Sequence, residues 1–308
     1  MLPNVFVAGA QKSGTTSLCS LISRHPQAIL SNPKEPAFFS CEANLSSLER
    51  YEQCFHAKAG ATPRAIVDGS NAYMVDRLAI SRIRRILGEN LRFIFCLRDP
   101  VERMVSAYWH QAKKGHELRG LADVFSFASY SLESAVCEEE NRLGRALANG
   151  LVDVSAYTDR FDDPLWNHRY LRNSLYASDL ERFHENFGRE RVKVIFFEDL
   201  VNEPSLTLAS LAVFLDLDPG GFPNRIEARN PTLLYRAPFL SLDLRYLPGR
   251  RILRRLPGYA RLHRLLVYRK PPAAPTQLKG QLRRLVAPEI KRLECMFRRE
   301  LLAMWGHN

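Results

Sequence analysis

The stretch that decides the fold runs from Asn4 to Thr16: Asn-Val-Phe-Val-Ala-Gly-Ala-Gln-Lys-Ser-Gly-Thr-Thr. Asn4 to Ala8 is a compact apolar run that ends at Gly9, the pattern of a buried strand entering a loop. Thr15 or Thr16 can cap a following helix, in which Leu18, Leu21 and Ile22 recur at helical spacing before His25-Pro26 stops it. A glycine loop between a strand and a helix presents backbone N–H groups and a helix N-terminus, the two features that bind phosphate. The spacing imitates the nucleotide triphosphatase loop G-x-x-x-x-G-K-[ST]. Here, however, Thr15 stands at the lysine position and the lysine has moved into the loop, at Lys12. Such a loop can hold one 5′-phosphate on the amides of Ser13, Gly14, Thr15 and Thr16 and aim an ammonium at the bridging atom. A glycine-rich turn that binds nothing looks the same, so the loop alone does not decide the chemistry.

Working outward, Ala65 to Val67, Leu91 to Leu97 and Val192 to Phe197 read as three further buried strands. Helical patterns separate or follow them at Leu78 to Leu87, Val101 to Lys113, Leu175 to Phe187 and Ser205 to Leu215. Buried strands joined by amphipathic helices predict an α/β fold, a P-loop-like parallel β-sheet flanked by helices on both faces. The chain has 308 residues, 46% of them hydrophobic, which suits a single domain. We divide it into an α/β core over residues 1–220 and a basic, mostly helical C-terminal extension over 221–308. Within the latter, Arg245 to Lys270 holds nine Lys or Arg and no acidic residue, and Gln277 to Trp305 reads as a final charged helical region.

A second motif ends the strongest strand. Leu97-Arg98-Asp99-Pro100 leads into a helix with proline near its first turn, and Ser106 follows eight residues after Arg98. An arginine at a strand end and a serine two turns into the helix can converge on one phosphate. A local ion pair of Arg98 with Asp99 or Glu102, beside a solvated serine, is the alternative.

With both motifs in hand, the sequence resembles the sulfotransferases that use 3′-phosphoadenosine 5′-phosphosulfate (PAPS), in the branch of the heparan sulfate sulfotransferases and their bacterial relatives. The matches are Q-K-S-G-T-T at 11–16, H-P at 25–26, K-E-P-A-F-F at 34–39 and L-R-D-P-V-E-R-x-x-S-x-Y at 97–108. Weaker ones follow at 172–176, 196–200 and 214–217, in the family's order over about the first 220 residues. The resemblance implies that Gln11, Lys12, Ser13, Gly14, Thr15 and Thr16 hold the 5′-phosphosulfate and that Arg98 and Ser106 hold the 3′-phosphate. It implies Lys12 as the catalytic cation and Glu35 as the base that takes the acceptor's proton. Asp68 and His110 are rival bases. Lys34, Asp68 and Tyr73 align with acceptor-facing positions. Ala37 stands where relatives often carry histidine, and Gly69 where they carry lysine. No clear K-G-R-x-Y-P loop is present, with Arg229-Asn230-Pro231 the nearest substitute.

The expected partners are therefore PAPS, its product PAP, and a hydroxyl- or amine-bearing acceptor, a glycan, glycolipid or small molecule. Lys12 supplies positive charge locally, so the sequence calls for no metal. The formal charge, 44 − 33 = +11, favours an anionic partner without choosing one. A P-loop kinase or NTPase is opposed by Thr15. A nucleic-acid- or membrane-binding module is supported by charge alone, and nucleic acid is not an expected partner. Residues 245–270 suit peripheral contact with a membrane surface, a glycan platform or a cap over the cleft. Six cysteines without metal or C-x-x-C spacing, no apolar run near ~18 residues and no signal-peptide pattern point to a cytoplasmic protein.

Overall fold

The computed structural model describes residues 1–57, 62–129, 131–222 and 270–307, and the backbone of a short antiparallel pair, Leu234–Tyr235 with Tyr268–Arg269. Five strands form one sheet: β1 (Val5–Gly9), β2 (Ala28–Leu30), β3 (Ala65–Asp68), β4 (Arg92–Leu97) and β5 (Val192–Phe196). Their order is β2-β3-β1-β4-β5, and every pair is parallel. All four expected strands are present. The edge strand β2 has only three residues and is too short to stand out as a run.

Strand alternation explains the two cores. Val5 and Val7 point to one face with Ile94 and Cys96, where they meet Leu18 and Ile22 of α1 (Thr15–Ile22). Phe6 points to the other, stacked on Phe93 with ring centroids 5.2 Å apart, against residues contributed by later helices. Both faces of the central strands are thus covered, as an all-parallel sheet requires.

The other described helices are α2 (Leu48–Glu52), α3 (Arg77–Leu87), α4 (Pro100–Lys114), α5 (Leu121–Phe125), α6 (Leu132–Ala148), α7 (Tyr176–Phe187), α8 (Phe197–Asn202), α9 (Pro204–Leu215), α10 (Thr276–Phe297) and α11 (Leu301–Met304). Leu211 and Leu215 of α9 join the α1 face, while Ile83 of α3 and Phe183 of α7 join the Phe6 face. The start of α1 differs from expectation. Neither Thr15 nor Thr16 caps it; Gly14 does, at φ 100°, without a side-chain cap. A side chain at Gly14 would be strained there, and its Cβ would lie 2.8 Å from the Phe197 ring.

The C-terminal helix is part of the core. Leu282, Val286, Ile290 and Leu293 of α10 are buried in the Phe6-side cluster. Glu289 accepts the Ala177 backbone N–H at 2.6 Å, placing a carboxylate at the N-terminus of α7. Arg299 grips Asp199 of α8 with both terminal nitrogens, each at 2.5 Å. Arg245 to Lys270 and Arg229-Asn230-Pro231 fall outside the described residues, save Tyr268–Arg269 and Lys270.

Because Leu293 is fully buried, Leu293→Ala should cost about 2–5 kcal/mol of stability. A urea-unfolding series checks this. A loss under about 0.5 kcal/mol, the range of surface substitutions, would contradict the placement of α10 in the core.

Candidate active site

Pairing of β1 with β4 sets two strand ends side by side. The Ala10 N–H donates to the Cys96 carbonyl at 2.9 Å, and the Cys96 thiol donates to the Ser13 carbonyl at 2.7 Å. The loop after β1 and the start of α4 therefore border one open cleft of about 760 Å³. Gln11, Lys12, Gly14, Thr15, Thr16 and Ser17 line it from the loop and α1, and Arg98, Glu102 and Ser106 line it from α4 and its approach. Ser13 does not: it is fully buried, and its amide turns inward to the Ala10 carbonyl at 3.3 Å. The amides of Thr15 and Thr16, in the first turn of α1, have no intrahelical acceptor.

Lys12 sits in the left-handed region at φ 68°. Burial lowers its pKa to about 8, and the nearby charges of Lys114, Arg98 and Lys113 push in the same direction. An ammonium held in that state is poised to accept a negative partner.

Arg98 pairs with Glu102 at 3.6 Å and lies over the Phe197 ring, 5.5 Å from its centroid. The local ion pair anticipated as the alternative thus exists, yet both members line the cleft. Asp99 instead accepts from the amides of Val101 (2.8 Å) and Glu102 (3.5 Å) and so caps α4.

Glu35 stands where the large cleft meets a smaller cavity of about 130 Å³. Its Oε1 accepts from Lys34 Nζ at 2.5 Å and from Asn71 Nδ2 at 2.8 Å. Lys34 also donates to the Gly69 carbonyl at 3.1 Å. Lys34 and Glu35 thus form an ion pair ahead of the buried Phe38 and Phe39, and Glu35 lines the cleft as well. Ala37 is buried, with its N–H on Ser70 Oγ at 2.9 Å.

The smaller cavity is lined by His110, Lys114, Tyr157, Arg160, Trp166 and Asn167, among others. His110 belongs to both spaces, and burial beside Lys12 drops its pKa to about 3, so its ring is neutral. Burial lowers the Lys114 pKa too.

Asp68 and Tyr73, expected as acceptor contacts, are corrected by the structure. Both are fully buried, and neither lines the cleft or the smaller cavity. Asp68 Oδ2 accepts from the Tyr51 hydroxyl at 2.6 Å and from the Tyr73 hydroxyl at 3.2 Å, and burial raises its pKa. The pair braces the floor beneath Glu35 through Ser70, whose amide donates to Asp68 Oδ1 at 2.8 Å.

A family model for the sulfotransferase domain matches residues 2–228. The chain belongs to the sulfotransferase family. The chain is 24% identical over 231 residues to a bifunctional heparan sulfate N-deacetylase/N-sulfotransferase 1 of Caenorhabditis briggsae, covering 73% of this chain and 24% of that protein. It is 23% identical over 284 residues to a membrane-associated sulfotransferase of Dictyostelium discoideum, covering 75% of this chain and 60% of that one. To human heparan sulfate glucosamine 3-O-sulfotransferase 5 it is 23% identical over 220 residues, covering 71% and 54%. The chain thus spans between about a quarter and three fifths of these relatives' lengths. Its fold matches the crystal structure of a sulfotransferase from Alicyclobacillus acidocaldarius, with TM-score 0.64 and 22% identity over 99% of both chains. Among the described residues no helix is long and apolar enough to cross a membrane.

Asn71, Lys114, Tyr157, Arg160, Trp166 and Asn167 line the smaller cavity without a sequence motif that marks them. One signal was available: Glu102, Ser106, His110 and Lys114 form an i, i+4 row along α4.

The depressed Lys12 pKa has a direct test. In a ¹³C-methyl titration of reductively methylated protein, one lysine signal, missing in Lys12→Arg, should lose its charge as pH rises through about 8. Ordinary exposed lysines should titrate near ~10.4. A Lys12 signal that titrates with the exposed lysines would contradict the site's electrostatics.

Proposed function

We propose that this protein transfers the sulfuryl group of PAPS to an acceptor hydroxyl or amine. The reading rests on one observation: a single cleft gathers the Lys12 loop, the Arg98 and Ser106 pair, and the carboxylate of Glu35. The residues present fit a nucleotide with separate phosphates. The first-turn amides of Thr15 and Thr16 and the glycine cradle at Gly14 suit the 5′ end, and Arg98 with Ser106 suits the 3′-phosphate. Gln11 borders the loop, its amide donating to Asn167 Oδ1.

In this reading the acceptor oxygen or nitrogen bonds to sulfur as the sulfur–oxygen bond to the phosphate breaks. Glu35 takes the acceptor's proton, and Lys12 faces the negative charge left on the phosphate oxygen. Lys34 and Asn71 hold the Glu35 carboxylate in place. Lys12 provides this charge without a metal. The acceptor enters through the smaller cavity beside Glu35, and Lys114, Tyr157, Arg160 and Trp166 contact it. A hydroxyl or amine on a glycan, a lipid-linked saccharide or a small molecule fits this description, in a cytoplasmic protein that meets membranes, if at all, at their surface.

With ³⁵S-labelled PAPS and acceptors from a source lysate, Lys12→Ala should lower kcat by about 10²–10³. Arg98→Ala and Ser106→Ala should mainly raise KM for PAPS. Glu35→Gln should lower transfer about 10²–10⁴ while leaving PAP affinity intact. Transfer should persist in excess EDTA. Near-normal turnover in Lys12→Ala would overturn the mechanism, and loss of PAP binding in Glu35→Gln would make that residue structural.

A further inference from the structure

The cleft carries a cation that the motifs do not predict. Lys279, in the first turn of α10, lines the same space as Arg98 and Ser106 and lies beyond the residues matched by the sulfotransferase family model. Its Nζ donates to Glu102 Oε1, while Arg98 pairs with the other oxygen of that carboxylate at 3.6 Å. One glutamate thus pairs with two cations that come from elements distant in sequence and leaves them with excess positive charge. Pro271, Pro272, Ala273 and Ala274 carry the chain along the cleft to α10. That helix begins with no acidic residue in its first turn and no side-chain cap, so its dipole adds positive potential beside Lys279. The buried face of α10, from Leu282 to Leu293, anchors the helix, so Lys279 is delivered by a rigid element. Lys279, Glu102 and Arg98 are all part-exposed, open enough for a ligand to exchange for the carboxylate.

We propose that Lys279 and Arg98 form a two-cation clamp for the 3′-phosphate, and that Glu102 is its resident counter-anion, displaced when the nucleotide binds. The proposal rests on the donor-site reading above. A phosphate between the two cations forms charge-assisted bonds to both, replacing those that Glu102 makes. The departing carboxylate returns to them when the nucleotide leaves. Glu102 therefore weakens nucleotide binding, and Lys279 strengthens it selectively for ligands with a 3′-phosphate.

Isothermal titration with adenosine 3′,5′-bisphosphate and with 5′-AMP separates failure of the clamp from failure of the donor site. Wild type should prefer the bisphosphate; equal affinities would overturn the donor-site reading itself. Given that preference, Lys279→Ala should weaken bisphosphate binding about tenfold or more while leaving 5′-AMP unchanged, and Lys279→Arg should restore it. Glu102→Gln should tighten bisphosphate binding about threefold and slow its release, since a competing like charge is removed. Thermal melts of each variant check folding. If Lys279→Ala keeps the full preference, or binds both ligands more weakly, the clamp is wrong. If Glu102→Gln weakens bisphosphate binding as Lys279→Ala does, Glu102 positions Lys279 and is not a displaceable anion.

Discussion

The β1–β4 pairing is the contact on which the rest depends. Two bonds, Ala10 N–H to the Cys96 carbonyl and the Cys96 thiol to the Ser13 carbonyl, clamp the glycine loop to the end of the neighbouring strand. A parallel sheet sends both strands out of the same edge, so the loops that follow them must share a cleft. Lys12 and Arg98, far apart in sequence, meet for that reason. Gly14 completes the arrangement, since only a residue without Cβ tolerates both its φ and the nearby Phe197 ring.

Electrostatics then follow from crowding. Burial holds both Lys12 and Lys114 below ordinary lysine pKa values, with repulsion from Lys114, Arg98 and Lys113 adding to it at Lys12 and from Arg160 at Lys114. The same field keeps His110 neutral, which removes it as a source of positive charge. Glu35, tied to Lys34 and Asn71, and Glu102, tied to Arg98 and Lys279, bring the acidic counterweight. A cleft so arranged favours an anion with more than one charged group, because each phosphate relieves repulsion between cations already in place.

Much of this is legible in the sequence alone. Strands β1, β3 and β4 read as nearly continuous apolar runs because both their faces are covered, the edge strand β5 carries Lys193 among apolar residues, and α3, α4 and α7 show amphipathic spacing. Strand β2 escapes notice because three edge residues make no pattern, and α6 because Glu138, Glu139 and Glu140 interrupt its apolar stripe. The residues proposed to hold the donor lie within short motifs, so their neighbourhood is local. The residues of the smaller cavity are different: Tyr157, Arg160 and Trp166 come from an irregular connection without periodicity, and only the folded chain brings them to Glu35. Asp68 and Tyr73 mislead for a related reason. Their partner, Tyr51, sits far enough upstream that no local signal marks the buried triad. Lys279 is equally hidden, since a single lysine in a charged helix carries no sign of what it faces.

The proposed reaction depends most on how a nucleotide would lie in the cleft. A crystal structure with adenosine 3′,5′-bisphosphate tests this most directly. The predicted result places the 5′-phosphate on the amides of Thr15 and Thr16 beside Lys12, with the 3′-phosphate against Arg98 and Ser106. A nucleotide bound in the reverse direction, or seated in the cavity beside Trp166, would contradict the central claim that the Lys12 loop receives the transferable group.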